Sequence, residues 1–183
     1  MRLRGTAVLG TLTTFTCAEL FLLAASACAQ GGAGPRPSQR ASVTQRIADT
    51  SIEIQYFRPS ARGRDVFPGV VRWGRTWTPG ADSATTISVS TDVKINGETL
   101  RRGTYSVWAE PQPDRWTMIF NKVQPVFHMN YPAGQDALRL QITPRKGDHM
   151  ETLAFYFPVV DGRHAELVVH WGTVVVPMEI DVP

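Results

Sequence analysis

Beyond its first thirty residues this chain of 183 residues has no cysteine; the two present are Cys17 and Cys28. The body therefore has no internal disulfide, no thiol nucleophile and no cysteine-ligated metal. A thiol-free body also suits an oxidising compartment. Charge of one sign is scarce as well. The formal net charge is +3, and setting aside Arg2, Arg4 and Glu19 leaves +2. No block of Lys and Arg is available to track a phosphate backbone, which argues against a nucleic-acid partner. Long apolar runs are missing too. Residues 5–18 and 20–35 are uncharged but are split by Glu19, and the second stretch decays into Gly and Pro. Neither makes a bilayer span of roughly 20 apolar residues. The histidines His128, His149, His164 and His170 show no metal-ligand spacing, and neither a nucleophile elbow nor a phosphate-binding glycine loop occurs. No metal and no cofactor are expected.

The N-terminus carries a targeting pattern. Arg2 and Arg4 form a basic start, Leu20-Phe21-Leu22-Leu23-Ala24-Ala25 an apolar centre, and Ser26-Ala27-Cys28-Ala29-Gln30 a small-residue region, which predicts export. Two processing readings stand. Ala27-Cys28-Ala29 before Gln30 fits cleavage to a soluble product. Ala25-Ser26-Ala27-Cys28 is similar to a lipobox, with Ala25 where Leu is usual, and makes Cys28 a candidate lipid-attachment residue and a lipid anchor the one membrane contact. The expected layout is a signal peptide over 1–29, a Gly- and Pro-rich flexible tether over 30–41, and one domain over 42–183.

Within that domain the apolar period is two. Ile52, Ile54 and Tyr56 alternate with Glu53 and Gln55; Ile87 and Val89 with Ser88 and Ser90; Leu138, Leu140 and Ile142 with Arg139 and Gln141. The same rhythm runs through Val93 and Ile95, Tyr105 and Val107, Trp116 to Phe120, Leu153 to Phe157, Leu167 to Trp171, and Met178 to Val182. Asn96-Gly97 is a strong hairpin turn signal. Pro111-Gln112-Pro113-Asp114, Lys146-Gly147-Asp148 and Asp161-Gly162-Arg163 read as further turns. About nine short strands, each with one apolar face, predict an all-β, antiparallel β-sandwich. Trp108 is out of phase with Tyr105 and Val107, so it faces the other side of its strand. His170 is out of phase beside Glu166, where a polar cross-strand pair is its expected use.

Two long segments break the rhythm, residues 58–83 with Phe67, Trp73 and Trp77, and residues 122–135 with Phe127 and Tyr131. A helical turn is expected only near residues 66–73. Loops of this length in a compact domain are functional or disordered, and the aromatics argue for packing.

Several stretches resemble a known family: Ser42-Val43-Thr44-Gln45, Tyr56-Phe57-Arg58-Pro59-Ser60-Ala61-Arg62-Gly63-Arg64, Trp77-Thr78-Pro79-Gly80-Ala81-Asp82-Ser83-Ala84-Thr85-Thr86, Val93-Lys94-Ile95-Asn96-Gly97-Glu98-Thr99-Leu100, Gly103-Thr104-Tyr105-Ser106-Val107 and Trp116-Thr117-Met118-Ile119-Phe120-Asn121. Over residues 42–182 the chain resembles the bacterial family called domain of unknown function 2911. The resemblance implies an exported β-rich protein, often with a lipoprotein-type signal, and transfers no catalytic residue. Thr78-Pro79 departs from the family, which more often has a basic residue before the Gly-Ala pair.

Arg58, Arg62 and Arg64 suit a carboxylate or phosphate gripped by guanidinium groups; alternatively they pair with Asp65 or Asp82 and pin their loop. Trp73 and Trp77, with Arg75 between them, are platforms for a sugar face or plugs for the end of the sandwich. His128 is the one histidine in a long loop. The candidate ligand-binding set is therefore Arg58, Arg62, Arg64, Trp73, Arg75, Trp77, Asp82 and His128, converging where the two long segments meet. The expected function is a non-catalytic envelope module for a small anionic or carbohydrate ligand. The rival is a glycan hydrolase using Asp82 with Asp65 or Asp136.

Overall fold

The computed structural model describes residues 37–183. The expected signal peptide over 1–29, with Cys28, and residues 30–36 of the expected tether lie outside the described residues. The strands are β1 (Gln39–Ile47), β2 (Thr50–Arg58), β3 (Thr86–Val89), β4 (Val93–Ile95), β5 (Glu98–Leu100), β6 (Gly103–Pro111), β7 (Trp116–Asn121), β8 (Asp136–Ile142), β9 (Arg145–Asp161) and β10 (His164–Asp181). A six-stranded sheet runs in the order β1-β2-β3-β6-β7-β8, and a four-stranded sheet in the order β5-β4-β10-β9. All pairs are antiparallel. The two sheets pack face to face as the expected sandwich.

The period-two residues build the core. Ile52, Ile54, Tyr56, Ile87, Val89, Val107, Met118, Phe120, Leu140, Leu153, Phe155, Leu167, Val169, Met178 and Ile180 are all buried. A fully buried side chain of this kind contributes about 1.5–3 kcal/mol relative to exposure. Asn96 (φ 48°) and Gly97 (φ 85°) make the expected two-residue hairpin, with Ile95 opposite Glu98. β1 opens at Gln39, so Gln39, Arg40 and Ala41, which the sequence assigns to the tether, pair with Arg58, Phe57 and Tyr56 of β2.

β10 has eighteen residues, and a straight strand of that length spans about 60 Å. Yet its ends meet. The Val182 N–H donates to the Arg163 carbonyl at 2.9 Å, and the His164 ring bonds Asp181 at 2.9 Å and Glu179 at 3.0 Å. The chain therefore reverses within β10, at Gly172, whose φ of 59° suits glycine. The first arm and the start of the second, as far as Val175, pair with β9, and Ile180 and Asp181 at the end of the second pair with β4. These arms are the two apolar stretches, Leu167–Trp171 and Met178–Val182, that the sequence separates.

Lys146-Gly147-Asp148 is not a turn: it lies inside β9. Gly147 is there for close approach. A Cβ on it would lie 2.6 Å from Val175 Cγ2, so this arm of β9 packs tightly on β10, and the break between strands comes earlier, at Thr143-Pro144, where the chain passes from one sheet to the other. That contact helps bury His170, which shares hydrogen bonds with the Tyr156 hydroxyl (3.1 Å) and the Asp148 carbonyl (3.0 Å). The cross-strand polar partner of His170 is thus Tyr156.

The six-stranded sheet is also covered on its outer face. Trp108 and Ile119 stand opposite each other on β6 and β7. With Ala84 they form a second buried cluster, roofed by Val126 and Tyr131 of the second long segment. Cross-strand apolar pairs of this type need such a cover to count as core.

Candidate functional site

The first long segment closes one end of the sandwich with aromatic rings. A single wide helical turn, Val66–Val70, contains Phe67 in extended backbone (φ −124°, ψ 121°). The Phe67 ring sits edge-on to Trp116 at 5.2 Å, Trp77 at 6.2 Å and Trp171 at 6.4 Å, and stacks on Trp73 at 5.5 Å. Trp77 in turn stacks on Trp171 at 6.1 Å. Its backbone exchanges hydrogen bonds with Ala109, at 2.8 and 2.6 Å, so residues around it continue the sheet beside β6. The two indoles therefore divide the two readings. Trp77 is a plug. Trp73 is half-buried, with one face on Phe67, and lines an open depression.

That depression, about 200 Å³, is walled by Trp73, Trp116, Pro144, Arg145, Lys146 and Thr173. A second one, about 140 Å³, shares Thr173 and Val174 with it and adds Arg64, Asp65, Phe67 and His149. They adjoin at Thr173 and Val174 as a shallow groove around the β10 reversal. Its charged lining has an excess of cations. Arg145 is engaged by Glu166, and His149 by Glu151 at 3.2 Å. The Glu151 carboxyl is held below its ordinary pKa, first by the Arg62 N–H and then by His149. Trp116 is buried, and its indole N–H has no acceptor among the described residues, an arrangement that costs about 1–3 kcal/mol.

The arginines bind the chain itself. Arg58 Nε donates to the Leu153 carbonyl at 2.9 Å. Arg62 donates to the Pro37 carbonyl at 3.0 Å, and its own N–H meets Glu151 at 2.6 Å. Arg64 donates to the Ala61 carbonyl at 2.8 Å and the Ser60 carbonyl at 2.9 Å. They pin their loop, as the alternative reading expects, but through backbone carbonyls. Of the three, only Arg64 lines the groove. Arg75 is exposed, and its N–H bonds the Arg72 carbonyl at 3.3 Å; it lines neither depression.

Asp82 and His128 come together elsewhere. The two long segments do meet, through the bridge Ser83–Phe127, the Ala84 N–H on the Val126 carbonyl (2.9 Å) and the His128 N–H on the Asp82 carbonyl (3.1 Å). The His128 ring packs edge-on to Phe127 at 4.5 Å. Beside this junction lies a pocket of about 280 Å³, lined by Arg40, Gln55, Phe57, Ser83, Thr86 and Gln124 among others. So the convergence expected of the loops exists, while of the candidate arginines and indoles only Arg64 and Trp73 line the groove. Sequence reasoning missed Lys146, His149 and Thr173, because Lys146-Gly147-Asp148 reads as an ordinary surface turn.

The second long segment is held by buried polar groups. Asn121 Nδ2 donates to the Pro132 carbonyl and to Asp136, both at 2.8 Å, while its Oδ1 accepts the Val123 N–H at 2.9 Å. Ser106 Oγ donates to the Val123 carbonyl at 2.8 Å and accepts Trp108 Nε1 at 2.9 Å. Burial raises the Asp136 carboxyl, but hydrogen bonds from Tyr131, Asn121 and Arg139 outweigh it and hold the pKa below its ordinary value. Burial and the bond to Asp136 push Tyr131 up to about 12. Arg139 also takes Glu110 at 2.9 Å. This ion-paired set is a clamp: a glycosidase acid needs a carboxyl pKa moved the other way.

The architecture defines the class: an antiparallel β-sandwich with one aromatic-plugged, cation-rimmed end and a roofed outer sheet face. The chain belongs to the family described as protein of unknown function DUF2911, whose profile matches residues 38–180. Neither a curated protein nor a solved structure matches it. Among the described residues no helix is long and apolar enough to cross a membrane, and no cluster of His, Cys, Asp and Glu is arranged to hold a metal ion.

Proposed function

We propose that this protein is an exported, non-catalytic module of the cell envelope that binds a polar, carbohydrate-type ligand in the groove at the plugged end. One observation carries the reading: Trp73 rests one face on the Phe67 ring and lines a groove whose other walls supply Arg64, Lys146, His149 and Thr173. An amphipathic ring fixed by a neighbour, among a few polar donors, is how proteins hold a ligand with one apolar face and polar edges. The excess of cations favours a glycan bearing acid groups. Export rests on the Arg2 to Gln30 pattern, and Cys28 offers an anchor if the lipobox reading holds.

The hydrolase reading has less support. Asp65 lies in the groove beside Arg64, Asp82 sits at the loop junction, and Asp136 is held by the clamp. The test is calorimetric titration with acidic and neutral envelope glycan fragments. Acidic fragments are expected to bind more tightly. Trp73→Leu and Lys146→Ala should each weaken binding, with stability changed by less than about 1 kcal/mol for the exposed Lys146. Release of reducing ends during the titration would establish the hydrolase instead. In cells, the lipobox reading requires Cys28→Ser to shift the protein from the membrane to the soluble fraction; an unchanged distribution would leave soluble cleavage standing.

A further inference from the structure

The pocket beside the loop junction is built from different chemistry. We infer that it is a second, independent ligand site, selective for a single carboxylate group, with Arg40 as the anion-binding residue. Its lining includes Arg40, Gln55, Phe57, Ser83, Thr86 and Gln124, which bring one guanidinium, two carboxamides, two hydroxyls and an aromatic ring to its neighbourhood. Arg40 is oriented by a relay along the outer sheet face. It donates to Gln55 Oε1, and Gln55 Nε2 donates to Glu53 Oε1 at 2.7 Å. A guanidinium carries five N–H donors in one plane, and the bond to Gln55 uses one.

The two walls that come from loops are fixed from beneath. Thr85 Oγ1 donates to the Pro79 carbonyl at 2.7 Å and the Thr85 N–H to Thr78 Oγ1 at 3.0 Å, which sets the chain on either side of Ser83. Val123, next to Gln124, is tied by both its N–H and its carbonyl to the buried Asn121 and Ser106. A pocket held in place this way binds without a large ordering cost.

The charge balance selects the ligand. Among the described residues the lining carries one cation and no acid, the nearest carboxylate of the relay, Glu53, being engaged by Gln55. One planar fork flanked by neutral donors matches one carboxylate bidentately, whereas a phosphate dianion calls for further cations. A peptide terminus and a sugar acid both present that group. The site stands whether or not the groove binds a glycan.

The test titrates the full chain with N-acetylglycine, with glucuronic acid, with the uncharged N-methylamide of N-acetylglycine and with inorganic phosphate. At least one acid is expected to bind, and which one does identifies the source of the carboxylate. The amide and phosphate should bind at least roughly tenfold more weakly. Arg40→Gln and, separately, Thr86→Val should weaken the acid, while Arg75→Gln, an exposed arginine that lines neither the groove nor this pocket, should leave its affinity unchanged. Thermal melts that overlay the parent show that the variants fold. The inference fails if neither acid binds, if the amide binds equally well, if folded Arg40→Gln retains full affinity, or if Arg75→Gln weakens binding as much as Arg40→Gln does.

Discussion

The two long segments look alike in sequence, each aperiodic and aromatic, but they are held by opposite means. Residues 58–83 are fixed by burying rings: Phe67 and Trp77 complete the main core against Trp116 and Trp171. Residues 122–135 are fixed by satisfying polar groups, the buried Ser106 and Asn121 and the half-buried Asp136, above a small cluster of their own. Core burial is shared with the whole sandwich, so loosening the first segment weakens global stability. A polar clamp serves one loop, so loosening the second is felt locally first.

The largest effect should come from the plug. Phe67→Ala and Trp77→Ala are each expected to lower the unfolding free energy by about 3–5 kcal/mol, as large aromatic deletions do, read by urea denaturation. A loss below about 1 kcal/mol would show that the rings merely lie on the surface. Next comes the clamp. Asn121→Ala strands the Val123 N–H and the Pro132 carbonyl and should cost about 1–3 kcal/mol. Hydrogen exchange should rise over residues 122–135 while β9 and β10 stay protected. Uniform acceleration over both sheets would erase the contrast between the segments.

Acid should open the second segment before the first. Asp136 has its pKa lowered in the folded state, so its stabilising contribution is present above the unfolded value near 3.9 and is lost as pH falls through the folded one. Tyr131 fluorescence and loop exchange should report opening below about pH 4, and Asp136→Asn should remove that pH dependence. The smallest effect belongs to neither segment. His164 is raised by Asp181 first and by Glu179. Its contribution is full below about pH 6.5 and fades as pH rises through the raised value. His164→Gln should abolish this shallow slope in stability between neutral and mildly alkaline pH; an unchanged slope would assign it to another group.

Much of this was legible in the residues. Period-two alternation located nearly every strand, and Asn96-Gly97 located a turn with its geometry, because both follow from local backbone and burial rules. β1 is faint in the sequence because, before Ile47, its inward positions Ala41, Val43 and Gln45 hold one sizeable apolar side chain, Val43, and are only half-buried. Lys146-Gly147-Asp148 misled because glycine serves close packing as well as turns, and only Val175, twenty-eight residues away, decides which. Two hints of the roofed outer face were present: Trp108 and Ile119 are both apolar at out-of-phase positions. The groove was hidden for a different reason. It is assembled from the first long segment, the start of β9 and the reversal of β10, and no local pattern links Arg64 and Trp73 to Lys146 and Thr173.

The most direct test of the groove is a titration of the ¹⁵N-labelled protein with an acidic glycan fragment, following the five tryptophan indole N–H signals. The account predicts that Trp73 and Trp116, which line the groove, shift with ligand while Trp108, sealed under the second segment, does not. A response confined to Trp108, or a fragment that binds with the Trp73 and Trp116 signals unmoved, would contradict it.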